Sequence, residues 1–158
     1  YLVEHAEQYL ALASRQNWEV SLMYIDLVDF KLVNDQYGHK AGDELLFQVA
    51  KRLKGIMRKQ DILCRLGGDE FVLLMPNTTH KQAYQVAQRF IEHLKRPIPI
   101  VDTEYTIGAS IGIASSLSGE VTLDQLLQQA DKAMYQAKQY KVDRPFSIKN
   151  SETPDEEA

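Results

Sequence analysis

Two acidic side chains follow a pair of glycines in the run Arg65-Leu66-Gly67-Gly68-Asp69-Glu70-Phe71. The apolar residues on both sides predict two strands joined by a turn. The glycines permit a tight turn and let a ligand approach the backbone closely. Adjacent carboxylates at the start of a buried strand repel each other and are costly to desolvate unless a cation neutralises them. The alternative is a polar hairpin turn in water, because Gly-Gly and Gly-Asp turns are common.

A third carboxylate, Asp26, ends the predicted buried strand Val20 to Ile25. In a split β-α-β arrangement this strand can neighbour the one that begins at Asp69, which would bring Asp26, Asp69 and Glu70 together. Mg²⁺ prefers oxygen ligands and keeps places for water and phosphate oxygens. The cluster therefore predicts a Mg²⁺ site for work on a nucleoside triphosphate. An acidic patch without metal, or a set of capping residues, is the alternative.

The stretch between these carboxylates carries Asn34 and Asp43, which suit the edge of a guanine base. An amide can donate to O6 or N7, and a carboxylate accepts from N1–H and the exocyclic amine. Lys31 is a candidate for contact with phosphate oxygens. An ordinary helix-loop-helix explains the same residues, with Asn34 as a local cap and Asp43 near a helix N-terminus.

Hydrophobic periodicity predicts the elements that must position these side chains. In chain order they are a helix ending near Asn17, the strand Val20 to Ile25, a short helix ending at Gly38, a helix over Asp43 to Met57, the acidic hairpin, a helix over Gln82 to Leu94, a hairpin over Ile100 to Ala114 that turns near Asp102, a helix over Leu123 to Lys138 and a last strand over Arg144 to Ile148.

The order β-α-β-β-α-β, with extra elements, predicts an α/β fold of the α+β kind. We expect a mostly antiparallel central sheet with a ferredoxin-like core and helices on one side. Gly108 and Gly112 in the predicted second hairpin indicate close backbone packing rather than a phosphate loop. Residues 1–150 are expected to form one domain, followed by an acidic flexible tail or linker over 151–158.

Composition narrows the function class. The chain has 158 residues, 44% of them apolar and 25% charged, which suits one globular domain. Its net charge is -4, and four of its acidic residues fall in the last eight positions, so the remainder is balanced and does not predict binding to a nucleic-acid polymer. The single cysteine, Cys64, excludes an internal disulfide and indicates a buried thiol in a reducing compartment. No membrane-spanning run or signal peptide is evident.

Taken together, the segments Asp26 to Leu46, Arg65 to Phe71 and Ala130 to Lys138 resemble GGDEF domains in order and spacing. The likeness runs from the first helix to about Ile148. It implies a nucleotidyl-cyclase or palm-like fold and the activity of diguanylate cyclases, which condense two GTP molecules into cyclic di-GMP and release two pyrophosphates. It also implies a homodimer, because each domain holds one GTP and the two must meet face to face.

The resemblance assigns a role to each matching residue. Mg²⁺ or Mn²⁺ would be held by Asp26, the Leu27 carbonyl, Asp69 and Glu70, and Asp69 would also assist deprotonation of the ribose 3′-hydroxyl. The implied catalytic residues are Asp69, Glu70 and Lys31, and the implied GTP-binding residues are Asn34, Asp43, Phe30, His39, Gly67, Gly68 and Lys138.

A second, inhibitory site for the product is implied by Arg58-Lys59-Gln60-Asp61, which resembles the family's RxxD site. Arg58 can form a bidentate hydrogen-bonded pair with a guanine or a phosphate, and Asp61 can accept a hydrogen bond from a guanine edge. Arg89 is expected to contact the same product. A surface ion pair at helical spacing is the alternative.

Two departures from the family pattern affect these expectations. The chain begins at Tyr1, where the family's usual opening segment would end. We therefore expect a domain that lacks an N-terminal segment and an upstream sensor. Val142 stands where a phosphate-binding arginine is usual, with Lys141 and Arg144 as candidates to replace it. The alternative function is therefore a catalytically weak regulatory module that binds cyclic di-GMP or GTP, or a dimerisation module with a vestigial site.

We expect a cytoplasmic location within a larger bacterial signalling protein, and no membrane contact by this segment.

Overall fold

The computed structural model describes residues 2–116, 122–139 and 146–151. Five helices and seven strands lie in these ranges, in the order α1 (Leu2–Gln16), β1 (Val20–Val28), α2 (Phe30–Tyr37), α3 (His39–Ile56), β2 (Ile62–Gly67), β3 (Glu70–Met75), α4 (His80–Leu94), β4 (Ile98–Ile100), β5 (Thr103–Tyr105), β6 (Gly108–Ser116), α5 (Leu123–Gln139) and β7 (Phe146–Asn150).

The central sheet has the strand order β2-β3-β1-β6-β7. Strand β1 pairs antiparallel with both β3 and β6, β2 forms an antiparallel hairpin with β3, and β7 runs parallel to β6. The order β2-β3-β1-β6 is that of a ferredoxin-like core. The predicted α+β fold with a mostly antiparallel sheet is thus confirmed.

Helices cover both faces of the sheet, so the expectation of helices on one side is wrong. Alternate side chains of β1, such as Met23 and Ile25, pack with α2, α3 and α4. The intervening side chains, such as Leu22 and Tyr24, pack with α1 and α5. A strand that is apolar at successive positions buries both of its faces, and each face then needs its own helical layer.

The predicted hairpin over Ile100 to Ala114 is also wrong. Its middle part, β5, pairs with β4 in a separate two-stranded sheet, whereas β6 joins the central sheet and pairs with β1 from Gly108 to Ser116. The physical reason is burial: β6 is buried over almost its whole length and belongs in the sheet interior, while Thr103 and Glu104 are exposed.

Close backbone packing is confirmed at Gly112. A Cβ atom at this position would lie 2.1 Å from the Ala130 carbonyl oxygen and 2.2 Å from the Met134 nitrogen. Gly112 lies opposite Tyr24 in the β1–β6 ladder, so α5 rests directly on this face of the sheet. Helix α5 then continues by one more turn and carries Lys138 to the end of β1.

Candidate active site

The carboxylates from the two separated stretches converge at one edge of the central sheet. Asp26 lies opposite Glu70 in the antiparallel ladder of β1 and β3. The Leu27 N–H donates a hydrogen bond to the Asp69 carbonyl oxygen at 3.1 Å, which joins β1 to the turn before β3. The juxtaposition expected from a split β-α-β order is therefore present.

This edge of the sheet is strongly acidic. Asp26 is only 3% exposed. Burial, together with the charge of Asp26 and hydrogen-bonding contact with it, raises the pKa of Asp69. Two carboxylates in contact at a half-buried position favour any cation that can be shared between them.

Lys138 supplies one such cation. Its Nζ forms an ion pair with Asp26 Oδ2. Burial opposes the charged form of this lysine, but the hydrogen bond and charge of Asp26 outweigh it and raise the pKa of Lys138. Asp26, Asp69 and Glu70 all act on this ammonium group, so these four side chains together keep an excess of negative charge.

Tyr24 is a member of the site that the sequence interpretation missed. Its hydroxyl donates a hydrogen bond of 2.8 Å to Glu70 Oε2, and the side chain is 9% exposed. Burial and the hydrogen bond to Glu70 raise the pKa of Tyr24, so the phenol stays protonated and remains a donor. Its position two residues before Asp26, on the same face of the strand, was the pattern that could have revealed it.

The donor set fits Mg²⁺. Among the residues that the structure describes, no three carboxylate, imidazole or thiol groups are arranged to hold a metal by themselves. Mg²⁺ does not require such a cage, because proteins commonly bind it through one or two carboxylates together with substrate phosphates and water. The Asp26 and Asp69 pair provides that minimum.

A cleft of about 380 Å³ opens between α3 and the β2–β3 hairpin. Asp43, exposed in the first turns of α3, lies in its wall, and the cations Lys54 and Arg65 line it as well. The remaining lining is apolar and consists of Leu46, Phe47, Ala50, Leu63 and Phe71. A mostly apolar cleft with a few polar groups is the usual setting for a small-molecule ligand.

Asn34 lies close to this region because its side chain packs over the start of α3. Its Oδ1 is 1.8 Å from the point that a Cβ at Gly42 would occupy, and Gly42 directly precedes Asp43. Asn34 and Asp43, which the sequence pairs as guanine contacts, are therefore brought together by the α2–α3 hairpin.

The other predicted substrate residues differ in accessibility. Lys31 and His39 are exposed, at the starts of α2 and α3, and Gly67 and Gly68 are exposed in the β2–β3 turn. Phe30 is 8% exposed and belongs to the core beneath α3, so its side chain faces protein rather than solvent.

Arg58 and Asp61 form a compact pair after α3. The backbone N–H of Arg58 donates to Asp61 Oδ2 at 2.8 Å, and the side-chain Nη2 of Arg58 lies 3.8 Å from Asp61 Oδ1. The guanidinium group also donates to the Pro76 carbonyl oxygen at 3.2 Å and to the Thr78 hydroxyl. Arg58 thus makes more hydrogen bonds than the simple surface ion pair that was the alternative from the sequence.

Asp61 is unusual because its side chain is only 4% exposed. Burial raises its pKa against the opposing effect of Arg58. Within the described residues its Oδ1 accepts no hydrogen bond. Arg89, the third predicted product contact, is exposed on α4 and makes no hydrogen bond or ion pair with Arg58 or Asp61 in that part of the chain.

Comparison with known proteins identifies the family. The protein-family model described as "Diguanylate cyclase, GGDEF domain" matches residues 1–144. The chain belongs to the GGDEF family. The fold agrees: the GGDEF domain of TpbB, also called YfiN, from Pseudomonas aeruginosa superposes with a TM-score of 0.89 at 33% identity, covering 96% of this chain and 87% of that one.

Curated relatives of this GGDEF domain are larger proteins. MucR of Pseudomonas aeruginosa, a bifunctional diguanylate cyclase/cyclic di-GMP phosphodiesterase, is 41% identical over 137 residues, which are 87% of this chain and 20% of MucR. Diguanylate cyclase DgcP of Escherichia coli is 34% identical over 146 residues, 92% of this chain and 43% of DgcP. The chain thus spans less than half the length of either relative.

Some expectations for the GGDEF domain fall on residues whose structure is not described. Lys141, Val142 and Arg144, which bear on the missing phosphate-binding arginine, lie outside the described ranges, as do residues 152–158 of the acidic tail. No helix within the described ranges has the length and hydropathy needed to cross a membrane.

Proposed function

We propose that this GGDEF domain is a diguanylate cyclase that condenses two GTP molecules into cyclic di-GMP and releases two pyrophosphates. The observation that carries the proposal is the convergence of Asp26 and Asp69, from separate segments, at a sheet edge next to Lys138. The cyclase names of its relatives support the same activity.

In the proposed mechanism the chain's own groups hold the triphosphate and activate the nucleophile. Asp26, Asp69 and the Leu27 carbonyl bind Mg²⁺ or Mn²⁺, with Glu70 as a further acidic contact. The bound ion would neutralise phosphate charge and polarise the reacting phosphate. Asp69 assists removal of the proton from the ribose 3′-hydroxyl. Lys138 and Lys31 contact phosphate oxygens.

The guanine base is proposed to enter the cleft beside α3. Asp43 accepts from N1–H and the exocyclic amine, while Asn34 donates to O6 or N7. The apolar wall, which includes Leu46 and Phe71, covers the faces of the base. Gly67 and Gly68 let the sugar and triphosphate approach the hairpin backbone, with His39 and the Phe30 backbone nearby.

Catalysis needs two domains, because one domain holds one GTP and each 3′-hydroxyl attacks the α-phosphorus of the other molecule. We propose that a homodimer brings these groups into line, and that the orientation of the dimer controls the rate. We further propose a location in the bacterial cytoplasm, within a larger signalling protein, because the proposed substrate is GTP. No nucleic-acid polymer takes part in this scheme.

The direct test is incubation of the purified chain with GTP and Mg²⁺, at high concentration or fused to a dimeric coiled coil, with the products separated by chromatography. We expect cyclic di-GMP and two pyrophosphates per product molecule. Absence of product from the dimerised chain, after removal of any bound cyclic di-GMP, would contradict the enzymatic proposal. GTP binding without turnover would favour the regulatory alternative.

Tyr24→Phe is expected to weaken catalysis while leaving the fold intact. The change removes the hydroxyl that holds Glu70, and a hydrogen bond to a charged group contributes about 1.5–3 kcal/mol. We expect the Mg²⁺ concentration at half-maximal rate to rise several-fold. Tyr135→Phe, on the exposed face of α5, is the matched control and is expected to behave as wild type. Equal Mg²⁺ dependence in both variants would contradict this role.

We propose a second function for Arg58 and Asp61, binding of the product cyclic di-GMP. A buried carboxylate oxygen without a hydrogen bond, next to an arginine, supports it, because an N–H edge of guanine would satisfy that oxygen. The Arg58 guanidinium would then pair with a guanine edge or a phosphate of the same ligand.

Arg58→Ala is expected to weaken cyclic di-GMP binding by about tenfold to a hundredfold, because a charge-assisted contact is lost. Isothermal titration calorimetry measures this directly. Asp61→Asn tests the other half of the pair, and Lys132→Ala, exposed on α5 on the other face of the sheet from α3, is the control for loss of a positive charge. Unchanged affinity in Arg58→Ala, with a wild-type melting profile, would exclude this product site.

A further inference from the structure

Gly42 lies in α3 where this helix packs directly against the side chain of Asn34, a predicted ligand contact in α2. It is buried in α3, three residues after the helix begins. A Cβ atom here would lie 1.8 Å from Asn34 Oδ1 and 2.9 Å from Asn34 Cγ, far inside contact distance. The Asn34 amide therefore occupies the space that any other residue at position 42 would fill.

The neighbouring structure leaves the amide little choice of position. The Asn34 carbonyl oxygen accepts the Gly38 N–H at 2.9 Å, which ends α2 and turns the chain into α3. The Phe30 ring lies 3.3 Å from the same Cβ position and is anchored in the core. An alanine at 42 would push the Asn34 side chain away from α3, because Phe30 cannot give way.

We infer that Gly42 is a positioning residue for base selection: its missing side chain holds the Asn34 amide beside Asp43, so that both read one guanine edge. The inference rests on the proposed function, and it concerns the choice of guanine over adenine rather than the reaction itself. Gly42 contacts no substrate in this scheme and acts only through Asn34.

The test compares Gly42→Ala with wild type by calorimetry, using the α-thio analogues of GTP and ATP with Mg²⁺ to avoid turnover. We expect Gly42→Ala to bind the GTP analogue about tenfold more weakly, as for loss of a well-placed hydrogen bond, and the ATP analogue unchanged. Gly55→Ala is the matched control: it lies on the same helix, and a Cβ there meets nothing within 4 Å. It is expected to bind both analogues as wild type does.

A second comparison separates positioning from general disruption. In an Asn34→Ala background the clash with the amide is gone, and the 3.3 Å approach to Phe30 remains. Adding Gly42→Ala is then expected to cause no further loss of GTP-analogue affinity, and the double variant is expected to melt above Gly42→Ala alone. Equal weakening toward both analogues, or a further loss in the Asn34→Ala background, would overturn the inference.

The two proposals fail in different ways. Wild-type chain that does not bind the GTP analogue overturns the proposed function and this inference together. Wild-type chain that binds it while folded Gly42→Ala binds it equally well overturns the positioning role alone.

Discussion

Replacing Asp69 with Asn is expected to reduce cyclic di-GMP synthesis by about a thousandfold or more, because it removes both a proposed metal ligand and the group that assists proton removal. The geometry makes the loss hard to compensate: Asp69 is the partner of the buried Asp26, and Glu70 is already held by Tyr24. The measurement is the initial rate of product formation by the dimerised chain at saturating GTP and Mg²⁺.

The same substitution is expected to raise the melting temperature at neutral pH without divalent ions. Burial and Asp26 both oppose ionisation of Asp69, as the raised pKa shows, so a neutral amide removes an unfavourable contact from the folded state. Loss of activity with a gain in stability would mark Asp69 as a functional residue rather than a structural one. Asp102→Asn, in the exposed β4–β5 turn, is the control and should change neither property. Substantial cyclase activity in Asp69→Asn would refute its assigned role.

Gly112→Ala is expected to lower the free energy of unfolding by about 3 kcal/mol, the upper range for overpacking in a core. A Cβ here meets two backbone atoms of α5 at 2.1 and 2.2 Å, and backbone within a helix cannot move aside as a flexible side chain can. The melting temperature should fall by roughly 6–12 °C for a chain of this size. Thermal unfolding followed by circular dichroism tests it.

The control for Gly112→Ala is Gly55→Ala, where the new methyl group meets no neighbour within 4 Å. Gly55 lies in the last turn of α3, and alanine restricts the unfolded chain more than glycine does, so this variant should be at least as stable as wild type. Equal stability of the two variants would mean that α5 does not pack on β6 as closely as the structure shows.

Local sequence patterns were enough to predict most elements and the main acidic site. Helical periodicity predicted four of the helices to within a few residues, although α3 begins at His39 rather than at Asp43. The β-α-β-β order predicted that Asp26 and Asp69 would be neighbours, and they are. These predictions succeed because periodicity and element order depend on the chain's own short-range pattern.

Contacts between distant segments could not be predicted in the same way. The pairing of Lys138 with Asp26 depends on how closely α5 rests on Gly112, and the bond from Tyr24 to Glu70 depends on the register of β1 against β3. The β4–β5 sheet was missed because the burial of β6, not its local turn residues, decided which strands pair.

The sequence by itself determined the residue types that can bind a cation and a purine, and the family to which they belong. Only the tertiary structure decided how these side chains hold one another: Asn34 over Gly42, Asp61 buried beside Arg58, and Glu70 fixed by Tyr24. The reason is that a side chain's chemistry is local, whereas its partner is chosen by strand register and helix packing across the whole domain.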